Sequence, residues 1–302
     1  MAQAAVVLGD VIVRQSRRFG PLAARALVLV VGLLAILAMA DASVKPGGML
    51  HAFAHRLADA GLRKVHQLRS ADSALPDMQF GVYGGGSLAQ PSQVVLKQPG
   101  GTDMAMEGVA WDSGAAKMPP YHGFRGTWWS RNVPAAGAMV DLAYIKVIAD
   151  RSTPTRQSGK RDGVKVPESE PLSKTFRRLE FTNGLNLLTW NGVVRLPALL
   201  GCVRPYFGLG AGLSAPHVEV RRQGAKQRTF EFQIAGLAFH VFAGLEWRVR
   251  DRFSVFTEYK MSYATIDADL VDGGTLATKM WINQFVAGAS GHVRRPVIAP
   301  GK

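Results

Sequence analysis

From Met78 onward, apolar and polar residues alternate with a period of two, and they do so in eight separate runs. Period two is the mark of a strand with one apolar and one polar face. The runs cover 78–88, 121–129, 137–149, 185–196, 205–218, 231–249, 252–265 and 278–293. The connections alternate too. Those near 130–136, 197–204 and 250–251 are short, and those near 89–120, 150–184, 219–230 and 266–277 are longer. An even number of strands with short turns at one end and long loops at the other predicts an all-β fold, an eight-stranded antiparallel outer-membrane β-barrel over 76–293. Both ends of the barrel then lie on the periplasmic, short-turn side. Eight strands enclose a space that side chains fill, which excludes a pore.

Parity assigns the two faces. Leu237, Phe239, Val241, Leu245, Trp247 and Val249 share one side, with His240, Glu246 and Arg248 on the other. Phe253, Val255, Tyr259 and Met261 face out, as do Leu188, Trp190, Val194, Leu196, Phe207, Leu209 and Leu213. The lumen receives Arg125, Arg195, Arg248 and Lys260 against Asp141, Glu246 and Glu258, a structural plug of paired charges. The run PYFGLGAGL at 205–213 contains G-x-G-x-G, but its glycines sit inside a strand. It therefore lacks the strand–turn–helix setting of a nucleotide loop and relieves crowding in a narrow lumen instead.

The residues before the barrel read as a leader. Arg14, Arg17, Arg18 and Arg25 precede the apolar run ALVLVVGLLAIL at 26–37, and Ala38-Met39-Ala40 fits the small-x-small processing pattern. This predicts a cleaved signal peptide over 1–40; the apolar run is short for a retained helical anchor. Over 41–75, a linker, Leu50, Phe53, Ala54 and Leu57 suggest a short amphipathic helix carrying the His51/His55 pair. Residues 294–302 form a tail. The single cysteine, Cys202, excludes a disulfide scaffold. A net charge of +14 raises nucleic acid as a partner, but an exported barrel excludes it and points to anionic lipid.

Much of that charge falls in the long loops. Arg151, Arg156, Lys160, Arg161, Lys165, Lys174, Arg177 and Arg178 face only Asp162, Glu168 and Glu170 in loop 151–178, and Arg221, Arg222, Lys226 and Arg228 follow in the next. Such residues pair with the phosphate or uronate groups of lipopolysaccharide. The hairpin around Gly224-Ala225-Lys226 is expected to set Glu219 opposite Glu231 and His217 opposite Gln233. Asp269 falls beside Gln233, and Asn186 beside His217. These positions share lipid-face parity yet lie beyond the apolar band, at the depth of a lipid headgroup. His217, Glu219, Glu231 and Asp269 are the candidate catalytic residues, His217 as base with Glu219 to orient it or to hold a metal. Asn186, Gln233, Arg177, Arg178, Arg221 and Arg222 are the candidate substrate-binding residues.

Several strings resemble the lipid A oxidases: MPPYHGFRGTWW at 118–129, RLEFTNGLN at 178–186, PYFGLGAGLSAPHVEV at 205–220, TFEFQIAGLAF at 229–239, DRFSVFTEY at 251–259, and DADL with GGTLAT at 267–278. The resemblance covers about 118 to 290 and extends weakly to GVYGGG at 81–86. It implies an outer-membrane barrel that oxidises the proximal glucosamine of lipid A to 2-aminogluconate, with molecular oxygen as co-substrate and hydrogen peroxide as product. A divalent metal is compatible with such chemistry. Lipid A, the surrounding outer-membrane lipids and the barrel assembly machinery are the implied partners. No catalytic residue carries over from the family. One departure is that such barrels end their last strand in an aromatic residue, read by the assembly machinery, whereas Gly291-His292-Val293 and the tail RRPVIAPGK stand here. Two rivals remain. One is a non-catalytic surface barrel that binds envelope or host components through its basic loops. The other is a lipid A deacylase, against which the lumen parity of Ser214 counts.

Overall fold

The computed structural model describes residues 78–113, 120–130, 132–199 and 203–293. The expected leader, the 41–75 helix with its histidines, Cys202 and the tail lie outside these residues. Fifteen strands follow one another: β1 Met78–Ala89, β2 Ser92–Gln98, β3 Thr102–Val109, β4 Trp111–Asp112, β5 His122–Trp129, β6 Ala136–Ala149, β7 Pro154–Arg161, β8 Val164–Lys165, β9 Ser169–Pro171, β10 Phe176–Arg195, β11 Val203–Arg222, β12 Thr229–Phe232, β13 Gly236–Arg250, β14 Phe253–Asp269 and β15 Thr275–Val293.

Eight of them close a ring in the order β1, β5, β6, β10, β11, β13, β14, β15, and β15 returns to β1. Every step is antiparallel. Met78 pairs with Val293, so the two ends of the barrel meet at its short-turn rim. Closure leaves no strand edge exposed, which is what a hydrocarbon environment requires. The wall carries the matching belt: Trp190, Phe207, Leu209, Leu237, Phe239, Val241, Trp247, Val249 and Phe253 are all exposed large hydrophobics. The fold is thus the predicted eight-stranded outer-membrane barrel.

The long connections are not the open loops expected at 89–120 and 150–184. β10 and β11 run for 20 residues each, roughly 65 Å of extended chain, where about 10 tilted residues cross a bilayer. The surplus stands above the membrane and recruits the loops as further strands. The start of β15 pairs with β2, β2 with β3, β3 with β7, and β7 with β8 and β9, while β4 pairs with the end of β6. This raised wall encloses an apolar plug in which Leu96, Met104, Met106, Leu179 and Phe181 are at most 1% exposed.

Beneath the plug the lumen is ionic. Lys260 Nζ lies 2.6 Å from Asp141, which also accepts a 2.5 Å hydrogen bond from the Tyr83 hydroxyl. Arg125 lies 2.8 Å from Glu258, the Tyr206 hydroxyl donates to the same carboxylate at 2.8 Å, and Phe256 covers the guanidinium at 3.5 Å. Nearer the periplasmic rim, Gln79 donates to Glu246 and contacts His292 Nδ1, and Arg195 stacks on Trp129 at 3.9 Å. Glycine makes room for the lumen aromatics: a Cβ on Gly123 would come within 2.1 Å of the Tyr83 ring, and one on Gly208 within 2.4 Å of Phe242.

Candidate functional site

Above the apolar belt, the outer wall takes on polar residues on β5, β6 and β10. The first row runs from β5 to β11 through His122, Tyr144, Asn186 and Ala215, consecutive partners in the ladders. His122 stacks flat on Tyr144 at 4.6 Å, and its Nδ1–H donates to the Pro120 carbonyl at 2.8 Å. Asn186 therefore neighbours Ala215 and not His217. The register runs unbroken from Arg195–Tyr206 at the short turn up to this row, and the two-residue bulge on β10 lies above it, between Glu180 and Leu185.

The next rows hold His217 and Glu219, which have the outer-face parity expected of them. Their partners differ from expectation. His217 pairs with Phe232, Val218 with Glu231 and Glu219 with Phe230. The expected strand 231–249 is broken at 233–235 into β12 and β13, and the break shifts the register by one residue. A one-residue slip exchanges faces. Phe230 and Phe232, 47% and 60% exposed, thus take the outer positions that Glu231 and Gln233 were expected to fill. Both rings meet His217 edge-on, at 4.5 and 4.7 Å. Glu231 sits with Val218 on the opposite face and hydrogen-bonds Gln233 at 2.9 Å. Gln233 does reach Asp269, but only its main chain: the side-chain amide donates to the carbonyl and accepts from the N–H, both at 2.9 Å. The four candidate catalytic residues do not converge. His217 and Glu219 form one site, and Glu231 and Asp269 flank Gln233 in another.

Glu219 is held by cations. Arg178 bonds it directly and bonds Glu180 at 2.7 Å, and Arg228 reaches it at 3.0 Å while lying over Phe230 at 4.3 Å. Glu180 is the ladder partner of Glu219, so two carboxylates stand side by side between two guanidiniums. Glu180 was not foreseen, because only the pairing of β10 with β11 brings it there. His217 and Glu219 are 4% and 3% exposed.

A groove with a volume of about 910 Å³ opens beside this pair on the outer face of β4, β6, β10 and β11. Arg151, Arg177, Arg178, Arg221 and Arg228 line it, with Asp112, Asp150 and Glu180 as its carboxylates. Three of the candidate binding arginines are therefore here. The fourth is not: Arg222 points to the other face and makes a two-pronged bridge to Asp162 at 2.8 and 2.9 Å. That bridge holds the Asp162 carboxyl below its ordinary range. The Asp150 carboxyl is lowered to about 2 by the Ser152 and Thr153 hydroxyls and the Ser152 N–H. Among the described residues no three His, Cys, Asp or Glu side chains gather closely enough to share a metal ion.

No family model and no curated protein sequence matches the chain. Its likeness is to solved barrels, and it is a likeness of fold alone. Neisserial surface protein A is 10% identical over 72% of this chain and 97% of its own, with a TM-score of 0.37. Ail, the attachment invasion locus protein of Yersinia pestis, is 15% identical over 72% and 100%, with a TM-score of 0.33. The outer membrane protease OmpT from Escherichia coli is 8% identical over 72% and 97%, with a TM-score of 0.38.

Proposed function

We propose that the chain is an outer-membrane lipid A oxidase that works from the outside of its barrel. The observation that supports this most is the placement of the His217–Glu219 pair. It has lipid-face parity, stands just above the apolar belt and borders an arginine-lined groove. A membrane lipid cannot enter a filled eight-stranded lumen, so a lipid substrate meets catalytic groups only on this wall. In the proposed step a base at His217 takes the proton of the anomeric hydroxyl, and Glu219 orients the imidazole. C1 gives up its hydrogen with an electron pair to molecular oxygen, the hydroperoxide anion so formed takes the proton back from His217 and leaves as hydrogen peroxide, and the resulting lactone hydrolyses to 2-aminogluconate. Phe230, Phe232 and Arg228 cover the pair and have to shift for the sugar to reach it. Mass spectrometry of lipid A from a deletion strain tests the reading. 2-Aminogluconate should vanish on deletion and return with the intact gene; its persistence in the deletion strain would overturn the proposal.

The second reading, a non-catalytic surface barrel binding envelope or host components, has its own support. Glu219 is already engaged by two arginines, and His217 is walled by two phenylalanines, which is how a structural rim is built. Peroxide release from cells carrying 1-dephosphorylated lipid A separates the two readings.

A further inference from the structure

The cover over the candidate pair is built differently from the rest of the wall. His217 and Glu219 have outer-face parity, yet both are buried, because Phe232 and Phe230 stand directly opposite them on β12. The Gln233 N–H donates to the Pro216 carbonyl at 3.1 Å, which sets the hydrogen-bonded pairs of this ladder at 229, 231 and 233. His217 with Phe232 and Glu219 with Phe230 are then the non-hydrogen-bonded pairs, in which side chains come closest. The same alternation turns the main-chain groups of Phe230 and Phe232 away from β11, toward the end of β14.

No ladder receives them there. Among the described residues β12 pairs with β11 alone. Side chains bridge to the end of β14 instead: Gln233 bonds the main chain of Asp269 twice, and the Thr229 hydroxyl accepts from the Val271 N–H at 3.0 Å. Arg228, just before β12, adds its bridge to Glu219. Past the strand, Ala235 is fixed from both neighbours: its N–H donates to the Ser214 carbonyl, and its own carbonyl accepts from the Asp267 N–H. A four-residue strand with one ladder is marginal by itself, so the bridging side chains decide whether it stays down. We propose that β12 is a flap, hinged at Ala235 and latched by Gln233 and Thr229, that must lift before anything outside the barrel reaches His217. Such a flap governs access alone, whether or not the pair oxidises a sugar.

Carbethoxylation of His217 by diethyl pyrocarbonate tests it, on the folded full chain in detergent micelles, with the modified sites read by peptide mass spectrometry. His122, stacked on Tyr144 away from β12, is the reference, and His240 in the lumen reports any loosening of the whole barrel. Thr229→Ala/Gln233→Ala removes the latch and should speed modification of His217 about tenfold or more relative to His122, as the loss of several hydrogen bonds predicts. Gln233→Cys/Asp269→Cys in a Cys202→Ser background, joined by a short cleavable bis-thiol reagent, should slow it below the parent's rate. Cleavage of the link, which leaves the latch residue replaced, should raise it above that rate. Equal His217 rates in the parent, unlatched and cross-linked chains would overturn the flap, and so would an acceleration that His240 shares. Access is read without turnover. A flap that lifts over a pair yielding no 2-aminogluconate counts against the oxidase reading alone.

Discussion

At the residue scale, the lumen and the rim respond differently to the loss of a side chain. Glu258 is fully buried between Arg125 and Lys260. Lys260 keeps Asp141 if Glu258 is removed, but Arg125 is left against the Tyr206 hydroxyl and aromatic faces. An uncompensated buried charge costs about 3–5 kcal/mol. Glu258→Ala should therefore lower the temperature at which the folded band disappears in heat-modifiability gels, and Lys174→Ala, at an exposed loop position, should leave it unchanged. Identical transition temperatures for the two variants would refute the plug. On the outer wall His217→Ala removes the proposed base and should lower 2-aminogluconate formation by about 10²–10⁴-fold while the barrel still folds. His240, 3.0 Å from Ser262 in the lumen, is the contrast. His240→Ala should cost stability with little effect on turnover. Normal product from folded His217→Ala would move the chemistry elsewhere.

At the element scale, legibility in the sequence followed the two-residue period. Ring strands such as β13 and β14 alternate over their whole length and could be read directly. β2 and β3 bury Ser92, Gln98 and Thr102 together with Val94, Leu96, Met104 and Met106; polar residues on the buried face blurred their alternation, so they passed for loop. The break between β12 and β13 was invisible for another reason. Parity is a local signal and a bulge resets it without changing composition. Gly236 opens β13 just after the break, and a Cβ there would meet the Thr265 carbonyl at 2.2 Å, a close approach that only the folded chain reveals. This single reset separated Glu231 from Glu219 and dissolved half of the expected catalytic cluster. The β7–β8 turn allows a test of the raised wall. It is tied to β11 by the Asp162–Arg222 bridge. Because the folded carboxyl is lowered, its contribution is complete above the unfolded value of about 4 and is lost as the pH falls through the folded one. Asp162 is largely exposed, so less than about 1 kcal/mol is involved and the effect stays local. Hydrogen-exchange protection of this turn, normalised to intrinsic rates, should fall in the parent protein between about pH 6 and pH 3. In Asp162→Asn it should be low at both. The same pH dependence in the variant would show that the bridge does not hold the turn.

At the scale of the whole molecule, two closed layers are stacked across the barrel axis, and they decide where any ligand can act. The lower layer is ionic: Asp141 with Lys260 and Arg125 with Glu258 join strands on opposite sides of the lumen. The upper layer is apolar, built from both the raised ring strands and the recruited loops. An ion crossing would have to break buried pairs in one layer and shed its water in the other, each of which costs several kcal/mol. The full chain reconstituted in a planar bilayer should therefore give no discrete current steps. The two layers block independently, so Met106→Gly with Phe181→Gly, which hollows out the upper one, should leave the bilayer silent as well. Current steps from the parent chain would show an open lumen, and a ligand could then pass inward. A silent bilayer confines every membrane-borne ligand to the outer wall, where His217, Glu219 and the arginine groove lie together.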